Sequence, residues 1–112
     1  MPKNRLAGIE SEFKRALSDI IKNDIKDPRV SEMTSVTRIE ITRDLMYAKA
    51  YISIFDTDKK KKSTIDVLTH AQHHIKNEIG ARINIRRLPE ITFILDSSIE
   101  YSDRIAEILK KV

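Results

Sequence analysis

Cysteine is absent from the 112 residues. That absence removes disulfides, thiolate metal sites and a cysteine nucleophile together, and it suits a reducing compartment. Glycine occurs twice, at Gly8 and Gly80, so no G-x-x-G backbone clamp of the kind that closes on four nucleotides can be built. Aromatic residues make up 5% of the chain, too few for a stacking platform. Tyr47 and Tyr51 are therefore expected to pack on a sheet rather than stack on bases. Long apolar runs are missing too. None approaches the roughly 20 residues needed to span a bilayer, and Met1-Pro2-Lys3-Asn4-Arg5-Leu6 lacks the apolar stretch of a secretory signal. A soluble cytosolic protein is the expectation.

Hydrophobic residues at 40% and charged residues at 34% predict a folded core under a heavily charged surface. The length suits one domain spanning residues 1–112, with one core. Charge is unevenly placed. Residues 59–87 hold eight basic side chains (Lys59, Lys60, Lys61, Lys62, Lys76, Arg82, Arg86 and Arg87) against Asp66 and Glu78, a net +6. Since the whole chain is +4, the remainder carries −2. Clustered Lys and Arg favour a polyanion, because each phosphate neutralised releases counterions.

Leu6, Ile9, Phe13, Ala16, Leu17, Ile20 and Ile21 recur at helical spacing, predicting an amphipathic helix from about residue 4 to 25. Pro28 disfavours helix at Asp27 and ends it. Thr37, Ile39 and Ile41 alternate with Arg38 and Glu40, and after a tight turn at Arg43-Asp44-Leu45 the even residues Met46, Ala48, Ala50, Ile52 and Ile54 alternate with polar ones. The pattern predicts an antiparallel hairpin with the even residues of its second strand inward. Residues 56–62 read as a polar loop. Ser63 is placed to cap a second helix, with Asp66 at the capping-box position, and Ile65, Leu68, Ala71, Ile75 and Ile79 form its apolar stripe. Gly80 predicts a bend or break around residues 80–84. A third strand over residues 91–95 follows Pro89, and Ser97-Ser98-Ile99-Glu100 is a capping box opening a last helix, with Tyr101, Ile105, Ile108 and Val112 on one face. The expected fold is α+β: a two-layer sandwich with a three-stranded sheet, helices on one face, and Tyr47, Lys49 and Tyr51 on the other, left to solvent or a partner.

The order α-β-β-α-β matches the type II KH arrangement, and particular residues sharpen the match. Asp27-Pro28-Arg29-Val30 leads into Thr34-Ser35-Val36-Thr37, then Arg43-Asp44-Leu45-x-Tyr47-Ala48-Lys49. Further on stand Ile79-Gly80-x-Arg82-Ile83-x-Ile85-Arg86, Leu88-Pro89-Glu90-Ile91-x-Phe93 and Asp96-x-Ser98-Ile99-Glu100-Tyr101. In this order and at these spacings, over nearly the whole chain, the series closely resembles the bacterial ribosome-binding factor A family. The resemblance implies a monomeric, non-catalytic factor that binds the free 30S small subunit. It further implies assistance to late maturation, including processing of the 16S rRNA precursor, and support of growth in the cold. No cofactor, membrane or small-molecule substrate is implied. The family lacks the G-x-x-G loop, as this chain does, and carries an Ala-x-Gly kink within the helical segment. Here the kink maps to Ala71-Gln72-His73, with His in place of Gly. His is the better helix former, while Gly reaches backbone angles that His adopts at a cost. The kink is therefore expected to be softened or held by packing alone.

Arg82, Arg86 and Arg87, joined by Lys76, are the strongest candidates for phosphate contact, because a guanidinium fork donates two parallel charge-assisted hydrogen bonds. Arg86 stands first among them. Lys59, Lys60, Lys61 and Lys62 would supply long-range attraction with little specificity. His70, His73 and His74 sit at i, i+3 and i+4 on a helix surface, but no recognised metal motif accompanies them. RNA or solvent contact is the expectation for them, with no metal. No serine is evidently paired with them for catalysis. Asp27-Pro28-Arg29 reads either as a structural stop, with Arg29 bonding local carbonyls, or as a point where Arg29 reaches RNA, and the structural role is the expectation. The competing readings are a module whose basic face binds an acidic protein, and a small hydrolase or metal enzyme built on the three His residues.

Overall fold

The apolar series of the first segment lines one side of a helix, α1 (Pro2–Asn23), with Phe13, Leu17 and Ile20 fully buried. The computed structural model describes residues 2–96, with side chains from residue 5 onward. The last helix expected over residues 97–112 lies outside the described residues. Helix α1 ends before Pro28 because the chain turns at Asp24, whose N–H donates to the Ile20 carbonyl at 2.8 Å.

Strands β1 (Thr34–Ile41) and β2 (Tyr47–Ile54) pair antiparallel. Ala48, Ala50, Ile52 and Ile54 point inward as their alternation requires, whereas Met46 lies in the turn and is exposed. In β1 the register shifts between Val36 and Arg38, so Val36 and Ile39 are both buried although they differ in parity. Such a bulge inserts one residue and re-aims those beyond it, and it leaves Thr37 half-buried. The turn holds Leu45 at φ 60°, the left-handed region, which costs a non-glycine residue about 1 kcal/mol. Asp44 offsets that cost by accepting from the Thr42 hydroxyl at 2.6 Å and the Met46 N–H at 3.0 Å.

The second helical segment departs from expectation at both ends. Thr57, not Ser63, is the N-cap: its side chain accepts from the Lys60 N–H, and α2 (Asp58–His70) begins two residues after Asp56. Lys59 to Lys62 are thus helical rather than looped. Lysine is a good helix former, and Asp58 in the first turn suits the positive end of the helix dipole. Ser63 instead donates to the Arg29 carbonyl at 2.7 Å. The helix then breaks at Ala71 and resumes as α3 (Gln72–Arg82). A break is therefore present in the segment where the kink was expected, in spite of His73. Ala71 sits at φ −87°, ψ 6°, a region open to any residue, so no glycine is required. Gly80 does not break the helix; α3 runs through it and stops at Arg82. A Cβ at Gly80 would stand 3.1 Å from the Leu88 side chain, so this glycine serves close approach rather than bending.

Strand β3 (Glu90–Leu95) joins β2 in parallel, giving the order β1-β2-β3. The inward residues of all three strands form one cluster with Phe13, Leu17 and Ile20 of α1, Leu68 of α2, and Ile75 and Ile79 of α3. The helices therefore cover one face of the sheet, and each fully buried Leu or Ile contributes about 1.5–3 kcal/mol. The order α-β-β-α-α-β is the expected two-layer α+β fold with its long helical element divided in two. Helix side chains also reach the outer strands: Glu10 accepts from the Ile41 N–H at 2.8 Å and Gln72 from the Ile91 N–H at 2.6 Å. Among the described residues no helix is long and apolar enough to cross a membrane.

Candidate nucleic-acid interface

The fold divides the eight basic candidates instead of gathering them at one point. Lys59 to Lys62 lie in the first turns of α2, directly after β2 ends at Ile54. Arg86 and Arg87 lie just before β3, whose first residue pairs with Tyr47 at the opposite end of β2. The eight residues of β2 set these ends about 23 Å apart at the usual rise.

Within the lysine group two side chains are committed to the protein itself. Lys61 is 6% exposed, with its Nζ 3.8 Å from the Asp58 carboxylate. Lys60 donates its Nζ to the Pro28 carbonyl. The Lys60 bond fastens α2 to the segment that follows α1. Other bonds do the same: the Ser31 N–H donates to Thr64 Oγ1 at 3.0 Å, and the Ser31 hydroxyl to Asp56 at 2.9 Å. The Thr57 N–H and the Ser31 hydroxyl, donating to Asp56, hold its carboxyl below the usual carboxylate range. Lys59 and Lys62 remain exposed.

Arg82 is the clearest correction among the arginines. It forks onto two carboxylates of the α1 region, Asp19 and Asp24, the latter at 2.6 Å, and Glu78 lies 3.8 Å away. A guanidinium so engaged neutralises the protein's own acids and is not offered to phosphate. Arg86 and Arg87 are exposed, and Lys76 is half-buried. Arg87 lies near enough to Asp44 to add to the lowering of that carboxyl, whose chief causes are the Thr42 hydroxyl and the Met46 N–H. Arg29 closes onto Asp27 with its Nε at 3.0 Å and an Nη at 2.7 Å, rather than onto carbonyls. That fork, with the Arg29 N–H, holds the Asp27 carboxyl down to about 2.

The three His side chains show no metal-binding geometry. His70 Nδ1 is 2.7 Å from the Asp66 carbonyl one turn back. No group of three or more His, Asp or Glu among the described residues is disposed to hold an ion.

The uncovered sheet face was under-read from the sequence. Tyr47 is 53% exposed and does not pack as expected, and Phe55, continuing the alternation just beyond β2, is 60% exposed. Tyr51 lies beneath the Arg38 guanidinium, 4.3 Å from ring centroid to Cζ. The alternation of β2, carried one step past its end, was the signal that would have placed Phe55 beside the tyrosines.

The chain's relatives agree with this architecture. The model of the family described as ribosome-binding factor A matches residues 5–109. The ribosome-binding factor A of Clostridium botulinum is 49% identical over 113 residues, covering 100% of this chain and 97% of that one. That of Caldanaerobacter subterraneus is 47% identical, covering 93% of this chain and 85% of its own. The crystal structure of ribosome-binding factor A from Thermus thermophilus superposes with a TM-score of 0.72 at 24% identity, over 80% of this chain and 94% of that one, a likeness of fold. A Thermus thermophilus ribosome-binding factor A fitted into the cryo-EM map of a 30S complex gives a TM-score of 0.68 at 23% identity, over 82% and 96% of the two chains. A match that runs from α1 past β3, with the helix break at Ala71 in place, leaves one assignment: the chain belongs to the ribosome-binding factor A family.

Proposed function

We propose that this chain binds the free small ribosomal subunit and assists its late maturation, including processing of the 16S rRNA precursor, as a monomeric, cytoplasmic, non-catalytic factor. The observation that carries this reading is the family match across residues 5–109. A relative of the same fold has been placed in a 30S complex, which supports the same partner. The surface adds a physical basis. Lys59, Lys62, Arg86 and Arg87 are exposed cations with neither hydrogen bond nor ion pair to a side chain among the described residues. Such groups attract phosphate at long range, and Arg86 and Arg87 can fork onto it. Their separation along the molecule fits a partner larger than a short helix, one that meets both ends of the domain.

The test is sedimentation with purified small subunits, large subunits and assembled ribosomes, repeated with excess naked 16S rRNA as competitor. Enrichment on free small subunits, reversed by the rRNA, is the expected result. Depletion of the protein should also leave unprocessed 16S precursor in small-subunit fractions. Equal association with all three particles, or retention on an acidic protein that rRNA does not displace, overturns the reading.

A further inference from the structure

Half of the aromatic side chains in this chain stand in one row on the sheet face that the helices leave bare. The chain has three Phe and three Tyr. Tyr47, Tyr51 and Phe55 occupy every fourth position along the central strand and its continuation, all on the side opposite buried Ala48, Ala50, Ile52 and Ile54. Four strand residues span about 13 Å, so the row extends some two such steps. Its backbone is fixed at both ends: β2 lies between two neighbours, and the Phe55 N–H still donates to the Met33 carbonyl at 3.1 Å.

What surrounds the row decides what it fits. Ser35, Ser53 and Thr92 supply hydroxyls at the outward positions, Ile94 is half-buried among them, and exposed Leu95 and Met33 lie toward the Phe55 end. The middle position is a composite: the Arg38 guanidinium stands over Tyr51, 4.3 Å from the ring centroid, while pairing with Glu40 at 3.0 Å. Bases stack on guanidinium planes as they do on rings. Charge is complementary to a polyanion as well. Arg38 and Lys49 on the face, with Arg43, Arg86 and Arg87 at the end where the β1–β2 turn meets the entry to β3, outnumber Glu40, Asp44, Glu90 and Asp96 five to four.

We infer that the open sheet face is a second nucleic-acid surface, one that takes unpaired RNA by stacking bases on Tyr47, on the Arg38–Tyr51 composite and on Phe55. Bases in a duplex present no free π-face, so this surface selects single strands. Lys59 and Lys62 on the helical side need only phosphates. The inference deepens the proposed function by naming the kind of RNA engaged, and it rests on that reading only for where such RNA would be met.

The probe is a labelled ten-nucleotide oligouridylate, compared with a blunt RNA duplex of equal length, in fluorescence anisotropy with the full chain at low salt. The single strand should bind better than the duplex. Tyr47→Ala and Phe55→Ala should each weaken it about fivefold or more. Tyr47→Phe, which keeps the ring, should bind as the parent does, and exposure of both positions leaves thermal stability a sensitive check on folding. Failure of the parent to bind the single strand, or full binding by the folded alanine variants, overturns the inference. Ring-dependent oligonucleotide binding in a protein that ignores small subunits would uphold it while removing the proposed function. Subunit binding indifferent to both rings, with no oligonucleotide binding, would do the reverse.

Discussion

Arg82, the last residue of α3, donates to the Asp24 carboxylate at 2.6 Å and also to Asp19, closing the far helix onto α1 across 58 and 63 residues of sequence. Arg82→Ala should therefore destabilise the fold by about 1 kcal/mol, the upper range for partly exposed ion pairs. Arg82→Glu should cost more, because it sets like charges together. Urea denaturation measures both, and a stability equal to that of the parent would show that the pairs are idle.

Arg86 behaves oppositely. It is exposed, and no partner among the described residues holds its side chain. Arg86→Glu should leave stability within about 0.5 kcal/mol of the parent. It should weaken association with small subunits, and the slope of log affinity against log salt should become shallower by about 0.7–0.9 if one phosphate contact is lost. An unchanged slope and affinity would remove Arg86 from the interface.

At the helix break, His73 stands where the resemblance led us to expect glycine. Because Ala71 makes the turn at φ −87° and His73 lies within α3, the break needs no special backbone angle. His73→Gly should thus lower stability by about 0.5 kcal/mol through helix propensity alone. A gain in stability would reveal strain at His73 instead.

The acid limit of the fold has a named contributor in Asp27. Its carboxyl is held at about 2 by the Arg29 fork and the Arg29 N–H. A folded value below the unfolded one means the interaction is fully present above about pH 4 and is lost as pH falls through 2. Carboxyl resonances followed by NMR should show Asp27 titrating below the ordinary aspartate range. Asp27→Asn should abolish its share of the acid dependence. A midpoint near 4 would contradict the geometry.

The two stretches of the chain that read best from sequence are those with the plainest periodicity. The apolar series from Leu6 to Ile21 and the even residues from Ala48 to Ile54 each bury the face their spacing predicts. Where periodicity met a local exception, the reading slipped. Thr57 and Ser63 are equally good caps in isolation, and the bulge after Val36 cannot be seen until Tyr51 and Ile52 stand opposite it. The candidate site was only half legible. Lys61 and Arg82 carry the same formal charge as Lys62 and Arg86, yet Lys61 is buried by the fold and Arg82 is engaged by Asp19 and Asp24, which are far from it in sequence.

Hydrophobic period was enough by itself to determine the α+β architecture, and the ordered blocks from Asp27 to Tyr101 carried the family resemblance. These properties are local or are summed along the chain, and folding does not alter them. The fate of each charge and aromatic ring was decided by tertiary structure. Coulombic pairing and burial depend on distances between residues far apart in sequence, as between Arg82 and Asp19 or Arg38 and Tyr51, and those distances exist only once the helices have settled on one face and left the other bare.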